Sequence, residues 1–364
     1  MKHIKKVKVI GAGSIGNHLA HAARSLGCSV DICDIDPDAL TRTVNEIYPQ
    51  RYGKWDENIT TYLCSDAPTG GYDLIVIGTP PEYHNSIAIE SMKESPKAIL
   101  VEKPICGPDL ADADKMLEIA QKKGIDLFVG YDHVVGDASD KVAELISKNS
   151  IGSIQTLDVE FREFWGGIFS AHPWLDGPKD SYLGFWKKGG GACGEHSHAI
   201  NLWQYFANLL GIGKVTKVNA NLNYVKNNEI DYDDICLLNL VTENKTLGRV
   251  VQDVVTEPTR KWARIQGDKG FIEWECGVKP GVDQVRSMID GKLSVYDFKK
   301  TRPDDFIKEL SHIDSYIGRS NDSPISLIKG LETMLVIAAA HDSSQKGKEL
   351  NINYATGFNK ESIF

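Results

Sequence analysis

The stretch VKVIGAGSIG, residues 7–16, runs an apolar strand pattern straight into Gly11-Ala12-Gly13-Ser14-Ile15-Gly16, and helical spacing follows at once in IGNHLAHAARSLG. A strand that turns so abruptly into a helix needs each glycine for a different reason. Gly11 permits the tight turn, Gly13 leaves the backbone bare where a pyrophosphate approaches, and Gly16 lets the helix pack closely on the strand. The amides opening the helix then face the phosphates with the positive end of its dipole. An isolated G-x-G-x-x-G carries little weight. Here Asp34 answers it at the end of the next strand pattern, the separation at which a carboxylate accepts ribose hydroxyls. Its charge repels a 2′-phosphate, so the pattern predicts NAD in preference to NADP. Gly11, Gly13, Ser14, Ile15, Gly16 and Asp34 form the expected contact set. Asp36 is expected instead to cap the helix beginning at Pro37.

The alternation continues through the N-terminal third. CSVDICD, YDLIVIG, KAILVEKP and IDLFVGY read as buried strands, while PPEYHNSIAIESMK and DLADADKMLEIAQKKG carry helical spacing. That order predicts an α/β fold with a doubly wound parallel sheet covered by helices on both faces. Ligands of such sheets bind beyond the carboxyl ends of the strands. Thr79, Pro80 and His84 in GTPPEYH, and Glu102 and Lys103 in VEKP, should therefore border the cofactor. Lys103 admits two readings: a cation that polarises a hydroxyl or carbonyl beside the nicotinamide, or a surface lysine that neutralises Glu102.

At 364 residues the chain exceeds a typical single core and suits two domains. A net charge of −9 offers no basic field to replace phosphate counterions, which disfavours nucleic acid as a partner. The most apolar run, LVIAAA at 335–340, is too short to span a membrane, and no apolar leader region follows the first lysines. Seven cysteines are scattered without a C-x-x-C pair, which argues against a disulfide framework or structural zinc and suits a reducing cytoplasm.

The segment GGGACGEHSHAINLW, residues 189–203, places Glu195, His196 and His198 together, a set that ligates metals or moves protons. In the pattern that follows, Ile200, Trp203, Phe206 and Leu210 fall along one helical face, and Gly211 is a stop signal. Positions two apart on a helix point about 200° from each other. His196 and His198 then cannot share an ion, unlike the i, i+4 pair of a zinc helix, whereas on a strand they would converge. No metal is expected. Glu195, His198 and Asn201, three apart, would line one helical face, as suits a histidine oriented by a carboxylate for acid–base work. Either His196 or His198 can take the catalytic position, His198 being preferred; the other is expected at the substrate edge or as a cap, and Cys193 as a packing residue. Upstream, REFWGGIFSAHPWLDGPKDSYLGFWKK supplies Arg162 for an anionic group and Trp174 for a sugar face; the aromatics also suit a core, and His172 stays undecided.

In this order GAGSIG, CDID, GTPPEYH, VEKP and GGGACGEHSHAIN resemble the Gfo/Idh/MocA oxidoreductases, which include glucose–fructose oxidoreductase and inositol dehydrogenases. The resemblance covers nearly the whole chain. It implies a Rossmann domain over residues 1–132 and an α/β domain over 133–364 with an open, mostly antiparallel sheet. That sheet often makes a subunit interface, so a homodimer or homotetramer is implied. VTKVNANLNYV, DICLLNLVT, LGRVVQDVVT and KWARIQGDKGFIEWE agree as its strands. In the family, the lysine of E-K-P and a helix-borne acid and histidine flank the reacting carbon; Lys103, Glu195 and His198 match them. Glu195 stands one residue closer to the histidine than usual, and Asn201 replaces a second aspartate. The implied activity is hydride transfer between NAD and a secondary alcohol of a sugar, sugar acid, nucleotide sugar or polyol. Two other readings stay open: an NAD-retaining enzyme that cleaves glycosides without net redox, and a non-catalytic NAD or ligand sensor.

Overall fold

The computed structural model describes residues 1–170 and 174–364, so His172 lies outside the described residues. The chain forms two compact units, and neither is continuous in sequence. The first comprises residues 1–105, 112–132 and 302–328; the second comprises 106–111, 133–301 and 329–364. The division is therefore not one cut after residue 132.

In the first unit, β1 (Lys6–Ile10), β2 (Ser29–Asp34), β3 (Ile59–Leu63), β4 (Leu74–Ile77), β5 (Ala98–Val101) and β6 (Asp126–Val129) make a parallel sheet in the order β3-β2-β1-β4-β5-β6. The order reverses between β1 and β4, the crevice where such sheets bind dinucleotides. Strands β4 and β5 are buried throughout, which is why they read as unbroken apolar runs. Strand β3 lies at the edge and is only partly covered. Its sequence ITTYL lacks the buried run that announced the other five.

Helices α1 (Ser14–Ser25), α2 (Pro37–Arg42), α3 (Tyr48–Tyr52), α4 (His84–Ser91) and α5 (Ala113–Lys123) alternate with the strands. A helix from far along the chain, α10 (Arg302–Tyr316), joins them. Its Phe306 stacks on His18 of α1 at 4.9 Å between ring centroids, and Leu310 and Ile313 are fully buried. The Asp314 carboxylate accepts the backbone N–H groups of Lys2, His3 and Ile4 at 2.6–2.8 Å, which fixes the chain start.

The second unit is built on a sheet in the order β14-β13-β12-β11-β7-β10-β9-β8-β15. Its strands are β7 (Ile154–Arg162), β8 (Val215–Lys226), β9 (Asp231–Thr242), β10 (Leu247–Asp253), β11 (Arg260–Gly267), β12 (Gly270–Lys279), β13 (Val282–Ile289), β14 (Lys292–Lys299) and β15 (Leu350–Asn351). Only the β7–β10 neighbours run parallel among these. One face carries α6 (Asp137–Ser147), α8 (Gly191–Glu195) and α9 (His198–Leu209); α11 (Leu327–Lys346) meets α9 at Thr333 and accepts the Ala220 N–H of β8 at Ser343, and α7 (Trp165–Ser170) follows β7. The alternation expected in β8 holds: Val218 and Ala220 are buried, whereas Asn221 and Asn223 are exposed. On the other face Leu237, Leu247, Leu293 and Val295 are exposed.

Trp203 of α9 anchors that helix to the sheet. Its indole is fully buried and donates Nε1–H to Leu157 O at 2.8 Å. Gly248 makes room for the ring: a Cβ there would lie 2.5 Å from it. No helix among the described residues is long and apolar enough to cross a membrane.

Trp203→Ala leaves a ring-sized void and an unpaired buried carbonyl, so it should cost about 3–5 kcal/mol in urea unfolding. Acid should weaken the whole protein in a defined window. Burial depresses the imidazoles of His84 and His312 from 6.5 to about 4, and that of His341 to about 3. The unfolded chain takes up these protons first, so stability is fully present above pH 6.5 and falls as pH drops toward 4. Urea midpoints that stay flat over that interval would contradict the assignment.

Candidate active site

The glycine turn after β1 has the division of labour its sequence predicts. Gly11 adopts φ +105°, and a Cβ on it would lie 2.8 Å from Gly78 O in the loop after β4. A Cβ on Gly16 would lie 2.0 Å from Gly11 O, whereas nothing stands within 4 Å of one on Gly13. Two residues that carried no sequence signal brace the turn. Thr43 Oγ1 donates to Ala12 O at 2.6 Å, and the Asn17 amide donates to Ala12 O and Gly13 O. Asp34 is oriented by backbone amides: Oδ2 accepts from Ala12 N at 2.7 Å and Oδ1 from Asp36 N at 2.9 Å. A carboxylate has about four acceptor sites, so two bonds leave capacity for hydroxyls. Asp36 caps α2 by accepting from Asp38 N, as expected.

At the carboxyl end of β4, the Thr79 hydroxyl is buried with no hydrogen-bond partner among the described residues, and Pro80 is exposed. A bare Cα at Gly13, an oriented carboxylate at Asp34 and an orphaned hydroxyl at Thr79 fit the donors and acceptors of a dinucleotide. Ser14 and Ile15 open α1, and Ile15 is half-buried against Gly78.

His84 plays a different part from the one expected. It is wholly buried, with Nε2 2.6 Å from Thr79 O and Nδ1 3.0 Å from Pro104 O. Burial pulls its imidazole down to about 4 against the raising effect of those carbonyls. Held neutral, it donates one ring N–H to one of these carbonyls and only packs against the other, so both nitrogens face protein backbone between the loops after β4 and β5. Glu102 is buried too, and its carboxylate fills the space a Cβ on Gly130 would need, at 2.6 Å. Lys103, which follows it, donates its backbone N–H to the same carboxylate at 3.3 Å. Beneath them Glu309 is fully enclosed, and burial together with the charges of Glu102, Asp132 and Asp305 holds its carboxyl well above the usual range.

In the second unit the GGGACGEHSH segment is not one helix. Helix α8 ends at Glu195 and α9 begins at His198, with His196 and Ser197 between. The glycines explain the break. Cβ atoms on Gly190, Gly191 and Gly194 would lie 2.1 Å from Tyr182 O, 1.9 Å from the Asp233 carboxylate and 2.1 Å from Gly189 O. Helix α8 is thus pressed onto β9, where Asp233 accepts from Cys193 N at 2.7 Å. Burial raises the Asp233 carboxyl well above its ordinary value.

The helical-face expectation for Glu195, His198 and Asn201 is corrected accordingly. Glu195 Oε2 accepts from the Tyr182 hydroxyl at 2.9 Å, and the Asn201 amide donates to Thr333 Oγ1 in α11 at 3.1 Å. The imidazole of His198 meets that of His133 edge-on at 4.7 Å and stacks near Phe161. His133 was missed from sequence, although GYDHVV follows the carboxyl end of β6, where ligands of open sheets gather. His196 is buried beside them in the chain. Arg162 is engaged by Asp253, with Nε–Oδ2 at 2.7 Å, so its charge is already answered. Trp174 is 36% exposed.

Two family models match the chain. One, described as an oxidoreductase family with an NAD-binding Rossmann fold, covers residues 5–131; the other, a GFO/IDH/MocA C-terminal domain, covers 139–273. No curated protein sequence matches the chain. Among solved structures, the fold is shared by an oxidoreductase from Agrobacterium radiobacter in complex with NAD+, L-tartaric acid and magnesium (TM-score 0.74, 20% identity, 96% of this chain and 98% of that one). It is shared by the WlbA dehydrogenase from Bordetella pertussis in complex with NADH and UDP-GlcNAcA (0.71, 21%, 96% and 98%). A levoglucosan dehydrogenase in complex with NADH is similar in the same way (0.76, 18%, 96% and 99%). With its parallel dinucleotide-binding sheet, its second, mostly antiparallel sheet and both family models in register, this chain is an NAD-binding oxidoreductase of the Gfo/Idh/MocA family.

Proposed function

We propose that the protein transfers hydride between NAD and a secondary alcohol of a sugar, sugar acid, nucleotide sugar or polyol. The observation that carries this reading is Lys103 at the carboxyl end of β5, on the same sheet edge as the bare Gly13 and the orphaned Thr79 hydroxyl. Structures of the same fold hold levoglucosan, UDP-GlcNAcA and L-tartaric acid, which are alcohols of these classes. Bound NAD supplies the hydride acceptor, or in the reverse direction the donor. Gly11, Gly13, Ser14, Ile15, Gly16, Asp34, Thr79, Pro80 and Glu102 are the residues proposed to border it, with Asp34 selecting NAD over NADP.

Lys103 is assigned to hold the substrate oxygen and to offset negative charge developing on it. His198 is assigned to accept the hydroxyl proton in oxidation and to return it in reduction. Glu195 is the orienting acid in this scheme, itself held by the Tyr182 hydroxyl. Trp174, 36% exposed, is assigned to a sugar face, and the buried His196, two residues before His198, to the substrate edge. Arg162, oriented by Asp253 through Nε, is assigned to an anionic group of the substrate. Exposed Leu237, Leu247, Leu293 and Val295 support a homodimer or homotetramer formed through the open sheet face.

A panel of sugars, sugar acids, nucleotide sugars and polyols followed by NADH fluorescence tests the reading. On the best substrate, Lys103→Ala should lower kcat by roughly 10²- to 10⁴-fold while NADH affinity stays within about threefold. His198→Gln should lower kcat by a similar factor. Unchanged turnover in Lys103→Ala would remove the lysine from the chemistry. Glycoside cleavage without added NAD would replace net dehydrogenation with a recycled cofactor.

A further inference from the structure

Helix α8 has five residues, too few to hold a helix by themselves, so its orientation is set by what grips it. Two fully buried side chains do so from the neighbouring strands β9 and β10. Asp233 of β9 accepts the Cys193 N–H through Oδ2 at 2.7 Å. Gln252 of β10 donates its side-chain amide to Ala192 O and Cys193 O, each at 3.3 Å. Cys193 is thus held at both of its backbone polar groups, one from each strand.

Burying a carboxyl and an amide costs free energy, and here the cost is only partly offset. Asp233 Oδ1 and Gln252 Oε1 have no hydrogen-bond partner among the described residues. An apolar pair would fill the same floor without that cost, so what the polar pair adds is direction. Asp233 also fixes the register of the helix above it, because its Oδ1 takes the space, at 1.9 Å, that a Cβ on Gly191 would need. The last residue of α8, Glu195, meets the Tyr182 hydroxyl at 2.9 Å, and His198 opens α9 edge-on to His133 at 4.7 Å. Between them, His196 N bonds back at 3.0 Å to Ala192 O, the same carbonyl that Gln252 holds. Gln252 therefore shares an acceptor with the turn that aims both side chains.

We propose that Asp233 and Gln252 are positioning residues for the reaction, locking the Ala192 and Cys193 peptides so that the turn after α8 delivers Glu195 and His198 in register. The proposal rests on the assignment of His198 to the proton and extends it to the sheet floor beneath α8.

Steady-state kinetics of the full chain on its best alcohol substrate test the proposal. Gln252→Leu, which keeps the volume, and Asp233→Ala should each lower kcat about 10- to 100-fold, as an ångström-scale misplacement does, while KM and the Kd for NADH stay within about threefold. Asp233→Asn keeps an oxygen for the Cys193 N–H and adds no charge, so it should hold kcat within about threefold of the parent. Added to His198→Gln, Gln252→Leu should lower kcat no further, because both act through one imidazole. Should Asp233→Ala fail to fold, Gln252→Leu and Asp233→Asn decide. Parent-like kcat in Gln252→Leu overturns the positioning role, as does a loss in Asp233→Asn as deep as that in Asp233→Ala. Losses that multiply in the double variant overturn it too, since a merely structural defect lowers the active fraction in any background. Full turnover in His198→Gln removes the proton assignment, and the positioning role with it.

Discussion

Everything at the candidate site hangs on how closely three pieces of backbone approach one another. Gly16 lies against the carbonyl of Gly11, and Gly11 lies against the carbonyl of Gly78. These contacts pull the loop after β1 and the loop after β4 together at the point where the sheet order reverses. No side chain fits between them, so the crevice is defined by main chain rather than by packing that could drift. His84 is packed between the β4 loop and the β5 loop, with a carbonyl of each facing one ring nitrogen.

The second unit solves a related problem with the same residue type. The glycines at 190, 191 and 194 bring α8 onto β9 closely enough for Asp233 to take up the Cys193 amide. The price is continuity: the chain must turn at His196 and Ser197 before α9 begins. That turn sends Glu195 toward Tyr182 and His198 toward His133. A spacing of three, which on one helix would have aligned them, instead spans two elements with different axes.

What could be read from the sequence was whatever rests on local causes. The glycine turn, the buried strands and the Asp36 cap each depend on neighbours a few residues away, and the structure bears those features out. Features set by distant partners stayed hidden. Strand β3 is an edge strand with mixed burial, His84 has carbonyl partners on two loops, and Arg162 is answered by Asp253 across two strands. Arg51 reaches Ser14 over 37 positions from a five-residue helix, and no spacing rule marks such a pair. The proposed catalytic pair sits between these extremes: Lys103 and His198 stood out as residue types, but their surroundings did not.

The return of α10 to the first unit has a consequence for how the protein is made. On a ribosome adding about 5–20 residues per second, the chain up to residue 132 waits about nine to thirty-six seconds before Phe306 and Asp314 are synthesised. During that interval the flank of α1 around His18 lacks its stacking partner, and the amides of Lys2, His3 and Ile4 lack their acceptor. The nucleotide-binding half is born first yet finished nearly last, so an early nascent chain is a natural client for chaperones that shield apolar helices.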